Sequence, residues 1–164
     1  MMNFWGSIMR HCTRALLAAL LTLTVWLPAQ AQPQTSSGQL VYVPAYSHIY
    51  HGDKPNEFLL TITISVRNAD PWRPLELTML EYRGSDGRVL KSFLDKPLSI
   101  APLAATRFVV AESDAHGGSG ACFLVRWRAG QPINQPVIQA VMIGARANQG
   151  ISFICEGQPL VEAK

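Results

Sequence analysis

An all-β fold is what this sequence predicts, on three observations. From Phe58 to Arg67 two sets of residues interleave, Phe58, Leu60, Ile62, Ile64 and Val66 against Leu59, Thr61, Thr63, Ser65 and Arg67. Successive strand residues point to opposite faces, so the first set is buried and the second turned outward. Asp86-Gly87 sits between two apolar runs, and that dipeptide supplies the positive φ angles a tight hairpin turn asks for. Short apolar runs then recur, divided by prolines and glycines, at the spacing of about 8 to 12 residues that marks a sandwich or barrel.

The elements follow in chain order. Arg10, His11 and Arg14 precede an uncharged run of 13 residues from Ala15 to Leu27, and Pro28 leads into Ala29-Gln30-Ala31. A membrane span needs roughly 20 apolar residues and the core of a signal peptide about 7 to 15. Residues 1–31 are therefore expected to form a signal-peptide helix cleaved after Ala31, leaving a soluble chain with no stable membrane anchor. Cys12 precedes the apolar run, which is the wrong place for a lipoprotein cysteine. Residues 32–38, rich in Pro, Gln, Ser and Gly, have nothing to bury and are expected to be a flexible lead.

Strands are expected at Leu40–Val43, across the alternating stretch from Phe58, and at Leu75–Tyr82 and Arg88–Leu94 as the two arms of the Asp-Gly hairpin. Asn68, Asp70 and Pro71 stop the alternating strand. Shorter strands are expected at Leu98–Ile100, Ala105–Val110, Ala121–Trp127, Val137–Ile143 and Ile151–Cys155. No window after the signal segment keeps a 3.6-residue period. The whole reads as one domain over residues 39–164, a Greek-key β-sandwich of the immunoglobulin-like kind, without repeats.

Charge narrows the function classes. The chain carries 14 Lys and Arg against 11 Asp and Glu, and loss of Arg10 and Arg14 with the signal lowers the net charge from +3 to +1. Nucleic-acid binding needs a dense basic patch to release counterions; here the two signs are interspersed, which argues against a nucleic-acid partner. Cys122 and Cys155 follow the signal segment. An oxidising compartment allows them to pair if their Cα atoms lie within about 7 Å, and otherwise each packs as a small hydrophobe.

The stretches from Val41 to Asp53 (Val-Tyr-Val-Pro-Ala-Tyr-Ser-His-Ile-Tyr-His-Gly-Asp), Ser99 to Val110 and Glu112 to Ala121, with Val141-Met-Ile-Gly144 and Gly150-Ile-Ser-Phe153, carry a resemblance. They are similar to the bacterial secreted family catalogued as domain of unknown function 3124. The resemblance spans most of the chain after the signal. It implies an exported bacterial domain and no particular chemistry. Cys122 and Cys155 fall outside the residues that carry it.

Four groups of side chains offer function. His48 and His51, with Asp114 and His116, combine imidazole and carboxylate in the way transition-metal sites do. Residues three apart on a strand face opposite ways, so His48 and His51 share an ion only if the chain turns, and Gly52 permits a turn. Against that reading, the histidines and Tyr42, Tyr46 and Tyr50 form a hydrogen-bonded aromatic edge. Ser119, in Gly117-Gly-Ser-Gly-Ala121, has Asp114 and His116 close in sequence. A nucleophile elbow, however, joins a strand to a helix and ends in glycine, whereas here alanine closes the pattern and a strand follows. No catalytic residue is assigned. Tyr46, Tyr50, Trp72 and Arg73 are candidates for a binding surface, since exposed aromatics and arginine favour partner contacts; Trp127 alternates with Phe123 and Val125 and belongs to the core.

The expected function is that of a periplasmic or secreted, non-catalytic interaction module with a protein partner in the cell envelope. The alternative is a periplasmic protein binding a transition metal through the His48/His51 cluster.

Overall fold

The computed structural model describes residues 34–146 and 148–162. The expected signal peptide lies outside them. The strands are β1 (Thr35–Pro44), β2 (His48–His51), β3 (Asn56–Leu59), β4 (Thr61–Arg67), β5 (Leu75–Arg83), β6 (Val89–Ser92), β7 (Leu98–Ile100), β8 (Ala105–Val110), β9 (Cys122–Asn134), β10 (Val137–Arg146), β11 (Gln149–Glu156) and β12 (Gln158–Leu160).

They form two antiparallel sheets and a separate hairpin. The larger sheet runs β12-β1-β9-β5-β6, with β7 pairing β5 beside β6; the smaller runs β11-β10-β4-β8; β2 pairs β3. The chain changes sheet between β4 and β5, β7 and β8, β8 and β9, β9 and β10, and β11 and β12. Strand neighbours are therefore mostly distant in sequence, as in a Greek-key sandwich.

The inner faces meet in one core. Val41, Val43, Leu77, Leu80, Tyr82, Phe123, Val125 and Trp127 come from the larger sheet, and Ile62, Ile64, Val66, Ile138, Ala140 and Met142 from the smaller. Leu60, Ile62, Ile64 and Val66 are fully buried, as their alternation requires, and burial of each such side chain contributes about 1.5–3 kcal/mol. The Asp-Gly hairpin forms as expected: Gly87 has φ 81°, its N–H donates to Gly84 O at 2.8 Å, and β5 and β6 pair on either side.

The structure corrects two boundaries and adds a strand. The strand expected from Phe58 onward breaks before Thr61, because Leu60 N–H donates to Ser47 O at 2.9 Å while Asn56–Leu59 turn back on β2. Burial alternates straight through the break, so periodicity is blind to it. Residues 35–38 of the expected flexible lead are the start of β1. Thr35 and Ser36 pair with Asn134 and Ile133, beyond a bulge at Gly38. Finally, the polar, proline-containing β12 pairs with Leu40–Tyr42 as an edge strand, where a residue without an N–H is tolerated.

At one end of the sandwich a buried polar pair ties the loops together. Asn68 Nδ2 donates to the carbonyls of Arg73, Ile100 and Ala101, and its Oδ1 accepts from Asp70 N–H. Asp70 accepts from the N–H groups of Trp72, Arg73 and Asn134. The bond from Trp72 N–H is foremost in holding the Asp70 carboxyl below its ordinary range. One side chain pair thus fixes the β4–β5, β7–β8 and β9–β10 connections.

Candidate functional site

The opposite end gathers the β2–β3 hairpin, the segment 111–121 and the β10–β11 turn. Gly52 at φ 78° turns the chain after β2, and Asn56 N–H closes the turn onto Lys54 O at 2.7 Å. Asn148 takes φ 63°, a conformation asparagine adopts more readily than most residues, and so sets Arg146 and Gln149 side by side as the last pair of β10 and β11. Gly144 lets the two hairpins meet. A Cβ there would lie 2.5 Å from Phe58 Cε1 and 2.6 Å from Leu59 O, so only glycine allows β3 to cross β10 this closely.

Between the hairpins lies an open cleft of about 710 Å³. Its apolar lining is Ile49, Phe58 and Ile151; its polar lining is His51, Asn56, Arg146 and Gln149, all solvent-exposed. The His51 ring packs edge-on to Phe58 at 6.1 Å. Arg146 makes one long contact, Nη1 to Glu57 O at 3.5 Å, and no ion pair among the described residues. Of these lining residues the sequence marks only His51 as a candidate site residue. The turn chemistry of Gly52-Asp53-Lys54-Pro55 and the glycines at 144 and 150 were the available signals.

The expected metal ligands are not assembled. His48 is buried, its Nε2 3.2 Å from the Tyr50 hydroxyl and 3.7 Å from Glu57 Oε1. His51, three residues on, lies on the other side of the strand. His116 Nδ1 is 2.9 Å from Asp114 Oδ1 on the exposed connection before β9. Among the described residues no three His, Cys, Asp or Glu side chains are grouped to hold a metal ion.

The Gly117–Gly120 segment is a cover. Ser47 Oγ donates to the carbonyls of Ala115 and Gly118; Ser85 Oγ donates to Gly117 O and accepts from Gly120 N–H. These bonds lay Gly117 directly on the Tyr82 hydroxyl, where any Cβ would collide. Tyr82 Oη is buried with no well-aligned hydrogen bond, although Ser47 lies near enough to act against the rise in its pKa. Burial, reinforced by the Asp114 carboxylate, pushes its pKa up to about 12. Ser119 makes no side-chain hydrogen bond to His116 or Asp114 among the described residues.

The expected binding-surface residues divide between the two ends. Tyr50 is 53% exposed but lies against His48 on the face of β2 opposite the Ile49 and His51 side that lines the cleft, while Tyr46 packs edge-on to Phe153 at 5.7 Å. Trp72, 81% exposed, and Arg73 lie past the far end of β4. Seven strand residues at about 3.3 Å each set the ends roughly 20 Å apart, so these four side chains are not one surface. The cysteines do not pair either. Both are free: Cys122 lies next to inward-facing Phe123 and so faces outward on β9, whereas Cys155 pairs with buried Ala140 and faces the core from β11.

A family model described as "Protein of unknown function (DUF3124)" matches residues 38–160. No curated protein matches the chain. Among solved structures, that of Thermotoga maritima 1070 is 10% identical, with a TM-score of 0.44, over 73% of this chain and 92% of that one.

Proposed function

We propose that this chain, which belongs to the DUF3124 family of proteins of unknown function, is an exported, non-catalytic binding module of the cell envelope that holds its ligand in the cleft between the β2–β3 and β10–β11 hairpins. The observation that carries the reading is the cleft itself: apolar residues with a few convergent polar groups, at a volume inside the range of roughly 300–1,000 Å³ typical of ligand sites. Among the described residues its lining contains no nucleophile with an adjacent base, which favours binding over turnover. Export rests on the charged start, apolar run and Ala29-Gln30-Ala31 of the amino terminus.

Site-specific photocrosslinking in living cells tests the reading. A photoreactive residue in place of Asn56 or Gln149 should give a discrete covalent product on a protein whose amino terminus is Gln32. The same residue at Trp72, at the opposite end, should give none. A product from Trp72 alone, or from no position, overturns the proposal.

A further inference from the structure

The cleft's own chemistry narrows the ligand, given the reading that it is a binding site. We infer that it takes a carboxylate carried on an apolar body, with the carboxylate on Arg146 and the body against Phe58, Ile49 and Ile151.

Charge comes first. Among the described residues, Arg146 is the one permanently charged residue in the cleft lining, and no carboxylate lines it. Glu57 and Glu112 line the neighbouring hollow on the other side of Arg146, but Glu57 directs its carboxylate 3.7 Å from His48 Nε2 and neither acid forms an ion pair with the guanidinium among the described residues. Arginine presents a planar fork of donors that matches a carboxylate in two parallel hydrogen bonds. One guanidinium balances one negative charge, so a carboxylate suits it better than a doubly charged phosphate. Gln149, paired in register with Arg146, and Asn56 add amide donors on the same rim.

The body follows from the other wall. Phe58 is half-buried and Ile151 39% exposed, an apolar surface beside the charge. A fully polar anion would leave that surface in water, and a neutral hydrocarbon would leave the arginine unused. A molecule with both parts satisfies both. It is either a free aliphatic acid or the carboxyl end of a peptide whose last side chain is apolar.

The test is a nuclear magnetic resonance titration of the purified protein with four probes: octanoate, its methyl ester, a tripeptide ending in leucine, and that tripeptide amidated. Octanoate or the free tripeptide should shift the Phe58, Gln149 and Ile151 resonances, and which of the two binds tighter identifies the source. Arg146→Gln should weaken the acid by roughly tenfold, the loss expected for a hydrogen bond to a charged group, and leave the blocked probes unchanged. Equal binding of acid and ester, or an Arg146→Gln variant that binds the acid normally, overturns the inference and leaves the cleft a binding site. A titration in which no probe moves the cleft resonances overturns it too, and the crosslinking experiment then decides separately whether the cleft binds anything.

Discussion

At the scale of single residues, Tyr82 shows how a buried polar atom without a well-aligned partner makes a sharp prediction. Its ring fills the core against Phe123, centroids 5.1 Å apart, but its hydroxyl ends under Gly117, near Ser47, with no well-aligned hydrogen bond. An unsatisfied buried hydroxyl costs its desolvation, so Tyr82→Phe is expected to be neutral or to stabilise by up to about 1 kcal/mol, unlike most core substitutions. The pH dependence separates this from chance. With a folded pKa near 12 and an unfolded one near 10, only the unfolded chain ionises at this side chain between those values. Stability is intact below pH 10 and falls as pH rises toward 12, by up to about 1.4 kcal/mol per pH unit. Urea unfolding at pH 9, 10 and 11 should show that loss in the parent and a smaller one in Tyr82→Phe. Parallel curves would mean the hydroxyl reaches solvent or a water.

At the scale of elements, the cleft depends on a single missing side chain. Gly144→Ala places a methyl group against Phe58, the Leu59 carbonyl and Leu60. Overpacking of this kind costs about 1–3 kcal/mol, and because part of the obstruction is the Leu59 backbone carbonyl, the β2–β3 hairpin must lift. The expected outcome is a lower denaturation midpoint together with altered Phe58 and Ile151 resonances. Gly130→Ala on β9, where a Cβ meets nothing within 4 Å, should be neutral or slightly stabilising. If the two variants behave alike, hairpin and sheet are not in contact as described. The same elements show what sequence could and could not reveal. Alternation from Phe58 to Arg67 and the Asp-Gly turn are local signals, and they located the buried faces of β4 and the β5–β6 hairpin. The folding back of β3 leaves the alternation intact and so leaves no trace in it. Arg146 and Gln149 face one another only because of a tight turn at Asn148, and they meet Phe58 only because strands almost 90 residues apart cross at Gly144. No window of sequence contains that meeting.

At the scale of the whole molecule, the connectivity decides the cysteines. Spacing alone left Cys122 and Cys155 equally open to pairing or separate burial, because whether two strands share a face depends on which sheet each joins. The chain crosses from the larger sheet to the smaller between β9 and β10 and stays in the smaller sheet through β11. Cys122 therefore sits on the outward face of the larger sheet, near Tyr42, and Cys155 on the inward face of the smaller one. Stacked sheets lie about 10 Å apart, and a full sheet intervenes, so the roughly 7 Å limit between paired Cα atoms is not met. Burial pushes both thiols up, which slows their reaction as thiolates. Protein purified without reductant should thus label slowly with iodoacetamide while folded. Once denaturant is added, still without reductant, peptide mapping should find the alkyl group on both Cys122 and Cys155. A peptide linking the two by a disulfide would require β9 and β11 to approach on a common face, and would overturn the sheet order that also builds the cleft.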